Sequence, residues 1–472
     1  YEEAVTYLEA ANRLIEEENP DNSHAGPVLE QLGDLMYMTG LDRARGIEYL
    51  HRALALYEQS GDPRIVLVHS RLGRAYSTFP ATMNIPLAFE HYNAARDIVR
   101  DFPDSVPLGY LQTGIASAGL FGDRTDVGLA AAERAVAIAE AAGDDGLRAN
   151  ALSMNGWFLA ATNRCAEGWR MLDESWRLAD RIGHVMAGYF AAWQLAALGF
   201  FAWDVRRGQA GAQREIDSGR LAQIPEWGNF LVCTSVDQQL ALGDDGPARE
   251  FFAEHPDQDL YPNVLKWRLL LLDGEWEAAA EWADRQTRQW AAAGIDLLVS
   301  GYQAGTAMCL ELLGDVDGAV RAADEQLLSI EGGPSIINTG FFAWFRARLH
   351  LDRHELDLAQ QVVDRIRAEL AIAEWGGLGG RLDELQAEIL LARGDLAAAQ
   401  PFYASARASS AAFPYVMFDA EFQYRWATAM QRAGHPDRAA GHFAEAIATY
   451  QRYGFAQRWI KRVDDAAATP AR

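Results

Sequence analysis

A repeat of 40 residues in the C-terminal part of the chain constrains the fold more than any other feature. Four alanines recur at this interval: Ala319, Ala359, Ala399 and Ala439. Five positions before each alanine stands a residue at a helix-ending turn: Gly314, His354, Gly394 and Gly434. Glycine readily adopts the left-handed conformation that ends many helices. Apolar segments at helical spacing precede every turn, so the pattern predicts one helix–turn–helix unit repeated four times.

The rest of the chain extends this pattern. Half of the 472 residues are hydrophobic, and no segment shows the apolar–polar alternation typical of strands. We therefore expect an all-α fold, an α-solenoid of about eleven helical hairpins with a period near 40 residues. The repeat phase is kept in residues 1–198 and 263–468 but lost in residues 199–262. The sequence thus predicts an N-terminal array, an irregular middle segment, and a C-terminal array that ends in a capping helix.

One unit near the N-terminus carries a more specific spacing. It reads Leu72-Gly73-x2-Tyr76 in its first helix and Ala88-x3-Tyr92-x2-Ala95 in its second. These residues resemble the tetratricopeptide repeat, whose helices read L-G-x2-Y and A-x3-F-x2-A, although that repeat has a period of about 34 residues. The resemblance implies a right-handed superhelix in which small residues let paired helices approach closely. An aromatic ring then fills the space between successive hairpins.

The longer period is similar to that of helical arrays in bacterial signalling ATPases, including maltose-type activators and large ATP-binding LuxR-type regulators. This resemblance implies the sensor region of a cytoplasmic bacterial regulator, which receives a protein, a peptide or a small-molecule inducer. It also implies an ATPase module upstream in the same chain. The first residue is Tyr1 rather than Met, as we expect for a piece of a longer polypeptide. No GxxxxGK[ST] phosphate loop occurs, so such a module would lie outside these residues.

Composition argues against several classes of partner. The formal charge is −24, and the only lysines are Lys266 and Lys461, whereas nucleic-acid contact relies on clustered basic residues. No apolar run reaches the roughly 18 residues of a membrane span. The three cysteines are far apart in apolar helical segments, which favours small core side chains over metal ligands.

No arrangement of residues indicates catalysis, so we expect a non-enzymatic protein without a cofactor. His350 and His354 lie one helical turn apart and would be able to share a metal with Asp352 or Glu355. However, His354 takes the place of a turn glycine, so we expect both histidines to lie at a solvated helix end, without a metal. The glycine-rich stretch 376–380 has no lysine after it, and we expect it to be a flexible loop between repeats.

A recognition surface is expected on the first helix of each hairpin, which faces the concave side in the tetratricopeptide template. The candidate binding residues there are Arg74, Ser77, Asn150, Ser153, Trp157, Asp237, Asn263, Trp267, Trp344 and Arg348. Most of the 14 tryptophans are expected to wedge between hairpins. The leading hypothesis is a recognition scaffold, with two alternatives. One is an all-α toroidal enzyme with an acidic, tryptophan-lined cleft, and the other is a passive assembly scaffold.

Overall fold

The computed structural model describes residues 2–18, 25–254, 264–329 and 336–469. In these residues the chain forms 24 α-helices and no β-strand. The helices are, in chain order, α1 (Glu2–Glu18), α2 (Ala25–Thr39), α3 (Arg43–Ser60), α4 (Ile65–Thr78), α5 (Ile85–Ile98), α6 (Val106–Phe121), α7 (Thr125–Ala142), α8 (Asp145–Ala161), α9 (Cys165–Ile182), α10 (Val185–Phe201), α11 (Val205–Asp217), α12 (Pro225–Ala241), α13 (Gly246–Glu254), α14 (Val264–Leu272), α15 (Trp276–Ala292), α16 (Asp296–Leu312), α17 (Val316–Ser329), α18 (Ile336–Asp352), α19 (Leu356–Glu369), α20 (Leu378–Ala392), α21 (Leu396–Ala412), α22 (Val416–Arg432), α23 (Pro436–Arg452) and α24 (Gln457–Ala468). Short 3-10 helices occupy Pro80–Thr82, Arg220–Gln223 and Ile372–Glu374. Taken in pairs, α2 to α23 make the eleven hairpins expected, and the all-α solenoid is confirmed.

The chain divides into two compact units. Unit 1 comprises Tyr1–Met154 with Gln289–Leu297, and unit 2 comprises Asn155–Arg288 with Leu298–Arg472. The boundaries expected from the repeat phase, at 198 and 262, stay a prediction. Part of that middle segment, residues 255–262, lies outside the described residues.

The spacing that resembles a tetratricopeptide repeat has a direct packing explanation in unit 1. A Cβ atom at Gly73 on α4 would lie 2.7 Å from the ring of Tyr92 on α5. A Cβ atom at Gly114 on α6, in the next hairpin, would lie 2.6 Å from the Tyr92 hydroxyl oxygen. Tyr92 is 2% exposed. The ring therefore fills the space between two hairpins because glycine faces it on both sides.

The C-terminal repeat in unit 2 confirms the predicted register. The four spaced alanines are 0–1% exposed, as expected where paired helices cross closely. The turn residues all have positive φ, with 85° at Gly314, 60° at His354, 85° at Gly394 and 84° at Gly434. The 40-residue pattern in the sequence thus predicts the positions of both the helix crossings and the turns.

The glycine-rich stretch near residue 376 differs from the flexible loop expected. Helix α20 begins at Leu378, so only Gly376 and Gly377 remain in the turn. A Cβ atom at Gly376 would lie 2.7 Å from the carbonyl oxygen of Ala202, and one at Gly377 would lie 2.9 Å from that of Trp203. These glycines let two turns that are distant in sequence touch, so the flexible-loop prediction is wrong.

Unit 2 also joins helices that are not sequence neighbours. Trp459 on α24 is fully buried, and its Nε1 donates a hydrogen bond of 2.7 Å to the carbonyl of Leu271 on α14. The backbone N–H of Ala456 donates to the carbonyl of Leu272 at 2.9 Å. Arg458 forms two hydrogen bonds to Glu277, of 2.6 and 2.8 Å. The capping helix α24 therefore packs on the α14–α15 hairpin, although Trp459 and Leu271 are 188 residues apart in the sequence.

The cysteines and most of the tryptophans are buried in the described residues. Cys165, Cys233 and Cys309 are buried and form no disulfide bond, as expected for core side chains. Twelve of the 14 tryptophans are buried, and five of them have less than 2% of their surface exposed: Trp203, Trp290, Trp375, Trp426 and Trp459. In the same part of the chain, no helix is both long enough and apolar enough to cross a membrane.

Candidate functional site

A cavity of about 830 Å³ lies in unit 2 among α18, α20, α22 and α24, which are the first helices of their hairpins and the capping helix. Its charged or titratable wall residues are Glu311, Asp352, His354, Glu388, Arg425, Arg432 and Arg462. Its apolar wall includes Val316, Leu351, Leu356, Leu391 and Ala429. A volume of this size accommodates a small ligand or several side chains of a peptide.

Arginine–glutamate ion pairs link successive first helices beside the cavity. Arg348 and Glu311 are 37 residues apart, and so are Arg425 and Glu388. Arg348 Nη2 donates to Glu311 Oε1 at 2.6 Å. Arg425 Nε and Nη2 donate to the two oxygens of Glu388 at 3.2 and 3.0 Å. Each arginine thus pairs with a carboxylate on the preceding hairpin.

Two arginines complete the coordination of a single carboxylate, Glu421 on α22. Arg462 donates to both of its oxygens, at 2.6 and 2.9 Å, and Arg348 donates to Oε2 at 3.2 Å. Burial acts to raise the pKa of Glu421, but Arg462 and Arg348 outweigh it and lower the pKa to about 2. Glu421 is therefore ionised and fully paired.

Glu311 on α16 has a less complete set of partners. Only its Oε1 accepts a hydrogen bond, from Arg348, and the same oxygen lies 3.5 Å from Arg425 Nη1. Its other oxygen, Oε2, is buried without a hydrogen-bond partner. Burial and the neighbouring Asp352 raise the pKa of Glu311, against the opposing effect of Arg348 and Arg425. The pKa values of these two buried glutamates therefore shift in opposite directions, because Glu421 accepts hydrogen bonds from two arginines and the Tyr450 hydroxyl, whereas Glu311 accepts from one arginine.

Four of the sequence-predicted binding residues lie in unit 1: Arg74, Ser77, Asn150 and Ser153. Ser77 and Ser153 are buried, at 1% and 0% exposure. Arg74 forms an ion pair with Asp34. Asn150 is half-buried, and its Nδ2 donates to a backbone carbonyl one turn earlier in α8. The structure does not bring these four residues into the unit 2 cavity.

Five predicted residues lie in unit 2, and one lies outside the described residues, Asn263. The five are Trp157, Asp237, Trp267, Trp344 and Arg348. Trp267 Nε1 donates to Cys309 Sγ at 3.3 Å, and Asp237 pairs with Arg268 at 2.7 Å. Only Arg348 belongs to the ion-pair network beside the cavity. Whether any of these residues contacts a ligand stays a prediction.

Sequence reasoning missed most of the charged cavity wall. Glu311, Glu388, Arg425 and Arg462 were not among the candidate residues, and Asp352 was considered only as a metal ligand. The available signal was a charge on an otherwise apolar first helix, recurring every 37 residues, as in Arg425 and Glu388. Recognising it requires knowing which face of each helix points inward.

The histidine pair considered for metal binding is separated by the turn. His350 is buried, and its Nδ1 lies 2.6 Å from Glu355 Oε2, whereas His354 is exposed in the turn itself. The expectation of a solvated position is therefore wrong for His350, because the end of α18 packs inside unit 2. Among the described residues, no group of three or more histidine, cysteine, aspartate or glutamate side chains is arranged to hold a metal ion.

Comparison with known proteins adds information about the fold. No protein-family model and no curated protein sequence matches the chain. The chain is similar to the crystal structure of the APC/C hetero-tetramer Cut9–Hcn1, with a TM-score of 0.50 and 12% identity, over 98% of this chain and 91% of that one.

Two other solved structures are similar at lower scores. A Rap protein complexed with competence and sporulation factor has a TM-score of 0.40 and 13% identity, over 79% of this chain and 100% of that one. A signal transduction ATPase with a tetratricopeptide repeat sensor, from Pyrococcus horikoshii, has a TM-score of 0.34 and 13% identity, over 70% and 55%. These two likenesses carry no further argument. The likeness to Cut9–Hcn1 at 12% identity shows the fold alone, and that fold is an all-α solenoid of tetratricopeptide type.

Proposed function

We propose that this chain is a non-enzymatic recognition scaffold that binds a segment of a protein or peptide partner in the unit 2 cavity. The observation that carries the proposal is the cavity of about 830 Å³, whose wall combines apolar side chains with charged groups on first helices. Such a wall provides apolar contact area together with a few polar groups that fix the orientation of a ligand. The setting belongs to the same proposal: the sensor region of a cytoplasmic bacterial regulator with an ATPase module.

The rigidity of the cavity wall supports recognition. Arg425 donates to Glu388 through two atoms and to Asp352 Oδ1 at 2.8 Å. Paired hydrogen bonds of this kind fix the plane of a guanidinium group. Because the wall is held in place before a partner arrives, binding costs less side-chain ordering than it would at a flexible surface. The similar structure Cut9–Hcn1 is itself an assembly of different proteins.

Peptide selection tests the proposal directly. A random peptide library is displayed on phage, selected against the full chain, and the affinity of the recovered peptides is measured by fluorescence polarisation. The cavity is then blocked by Thr428→Trp. Thr428 lines the cavity and is half-buried, and its hydroxyl donates to the Tyr424 carbonyl at 2.9 Å. We expect the blocked variant to bind the selected peptides at least about tenfold more weakly, since a bulky ring occupies the site.

Thr449→Trp is the matched control. Thr449 lies on α23, the second helix of the same hairpin, is also half-buried, and donates to the Glu445 carbonyl at the same distance, 2.9 Å. It does not line the cavity. Peptides that bind Thr428→Trp as tightly as the unaltered chain would contradict the proposal, and so would a library that yields no binding peptide.

A further inference from the structure

Two carboxylate oxygens beside the cavity have no hydrogen-bond partner. They are Oε2 of Glu311 and Oδ2 of Asp352, and both are buried. The side chain of Glu311 is 8% exposed, and both residues line the cavity. Their other oxygens share one neighbour, because Arg425 Nη1 lies 3.5 Å from Glu311 Oε1 and 2.8 Å from Asp352 Oδ1. The two acceptors without partners therefore belong to carboxylates that flank the same nitrogen.

The network around these oxygens carries an excess of negative charge. Its connected carboxylates are Glu311, Asp352, Glu388 and Glu421. Its guanidinium groups are those of Arg348, Arg425 and Arg462. With four acids and three arginines, the fully ionised network has one uncompensated negative charge in a buried position. An unpaired buried charge is costly, so this network is completed either by a proton or by a cation.

We propose that the cavity binds a primary ammonium group, presented by a lysine side chain of the partner, against Glu311 and Asp352. The ammonium group supplies up to three N–H donors and one positive charge, which match two free acceptors and one excess negative charge. The two oxygens have almost no exposed surface, so a ligand contacts them only after side chains at the cavity wall rotate, and a small group requires the least displacement. A trimethylated ammonium is larger and has no N–H donor, and it does not fit.

The buried position of Glu311 favours its protonated form in the free protein. Burial and Asp352 raise the pKa of Glu311, so this carboxyl holds a proton more strongly than an exposed glutamate does. An ammonium group beside Glu311 favours the carboxylate form, so any proton that this carboxyl holds is released to the buffer on binding.

The test uses two small dications as probes of the full chain. Cadaverine carries two primary ammonium groups, and pentamethonium carries two trimethylammonium groups on the same pentane chain. We expect isothermal titration calorimetry to detect cadaverine binding at least about tenfold tighter than pentamethonium binding, because only cadaverine donates charge-assisted hydrogen bonds. Titration in two buffers of different ionisation enthalpy is expected to show proton release. Equal affinity for the two probes, or no binding of cadaverine, would overturn the inference.

Glu311→Gln removes the proposed charge with little change of shape, and we expect about a tenfold or greater loss of cadaverine affinity. Glu445→Gln is the control, because Glu445 also pairs with an arginine, Arg407, but lies on α23 and does not line the cavity. The comparison of two buffers uses the unaltered chain. It therefore tests proton release on cadaverine binding even where Glu311→Gln folds poorly. Cadaverine affinity that survives Glu311→Gln unchanged would contradict the inference.

This inference rests on the proposed function, but the two fail in different ways. If the scaffold proposal is wrong, no selected peptide depends on Thr428. If only the ammonium proposal is wrong, the selected peptides still depend on Thr428 but bind equally well when each lysine is replaced by norleucine. Polyamine binding without lysine-dependent peptide binding would assign the ammonium group to a free small molecule and would overturn the assignment to a partner lysine.

Discussion

His354 occupies a left-handed turn position that belongs to glycine at three equivalent places in the repeat. Its φ is 60°, against 84° or 85° at the three glycines. A side chain with a Cβ atom is strained in this conformation by about 1–2 kcal/mol, whereas glycine is not. The backbone hydrogen bond from His354 N–H to the Leu351 carbonyl, 3.0 Å, forms whichever residue is present. The fold therefore tolerates histidine here at some loss of stability.

We predict that His354→Gly stabilises unit 2 by up to about 1 kcal/mol, because it relieves this strain while adding chain entropy to the unfolded state. Urea unfolding followed by tryptophan fluorescence measures the change. The reciprocal variant is Gly434→His, at a glycine with φ of 84° where an added Cβ atom would meet no other atom within 4 Å. It is expected to destabilise the unit by about 1–2 kcal/mol. A destabilising His354→Gly would show that the histidine side chain contributes more than its backbone strain costs.

At the scale of the element, three helices of unit 1 bring histidines together. His51 on α3, His69 on α4 and His91 on α5 are in contact, and His69 Nδ1 lies 3.0 Å from His91 Nδ1. The ring of Tyr76 on α4 stacks on His91, and its hydroxyl is hydrogen-bonded to His51 Nε2. Burial, followed by the charges of His69 and His51, lowers the pKa of His91 to about 4. Burial also lowers the pKa of His51 and of His69, so the packing of all three rings favours their neutral forms.

This lowered pKa predicts acid sensitivity in unit 1. Between pH 6.5 and about 4, the unfolded chain binds a proton at His91 that the folded chain does not bind. Stability from this residue is therefore complete above pH 6.5 and falls as the pH is lowered towards 4. We expect hydrogen exchange in α4 and α5 to be faster at pH 5 than at pH 7 after correction for intrinsic rates, corresponding to about 1–2 kcal/mol.

His91→Asn removes the titrating group, so the pH-dependent part of this exchange should be reduced. The control is His435→Asn, since His435 lies in unit 2 before α23. If the pH dependence of exchange in α4 and α5 were the same in His91→Asn as in the unaltered chain, the linkage would be assigned to another group.

Contacts within and between neighbouring hairpins were predictable from the sequence. Ala399 and Gly394 illustrate this, because a small residue at a fixed interval marks a helix crossing and a glycine before it marks the turn. The repeat supplies four copies of each observation, so coincidence is a poor explanation. Local propensity, turn chemistry and packing all favour the same structure at these positions.

The candidate site was less predictable. A tetratricopeptide template places residues on the concave side, but it does not tell which of them pair with each other. Glu311 and Arg348 are 37 residues apart, and their pairing depends on the rotation of one hairpin relative to the next. Asp352 is at the end of α18, where a carboxylate is ordinarily solvated, yet it pairs with Arg425, 73 residues away. The 37-residue interval relates charged residues on successive first helices, but the sequence alone does not tell which of them pair.

At the scale of the whole molecule, unit 2 differs from a simple repeat array. In such an array each hairpin contacts only its sequence neighbours, and stability is close to a sum of nearest-neighbour terms. Here Trp459 Nε1 donates a hydrogen bond to the carbonyl of Leu271, 188 residues earlier. Asn163 Oδ1 accepts a hydrogen bond from the N–H of Ala371, 208 residues later. These bonds join distant hairpins directly, so we infer that a disturbance in α24 reaches α14 without passing through the hairpins between them.

Two buried tryptophans allow this coupling to be measured by the same substitution. Trp459 and Trp426 are both 0% exposed, but Trp459 Nε1 donates to Leu271 at 2.7 Å, whereas Trp426 Nε1 has no hydrogen-bond partner. Changing either tryptophan to phenylalanine removes a similar volume. Only Trp459→Phe also removes a hydrogen-bond donor from the buried Leu271 carbonyl oxygen. We expect Trp459→Phe to cost about 1–2 kcal/mol more than Trp426→Phe in urea unfolding. Hydrogen exchange should become faster at the end of α14 and in the turn before α15, residues 269–275, in Trp459→Phe alone. If both variants left that turn unchanged, unit 2 would transmit stability only between neighbouring hairpins, and the contact made by α24 would be a passive one.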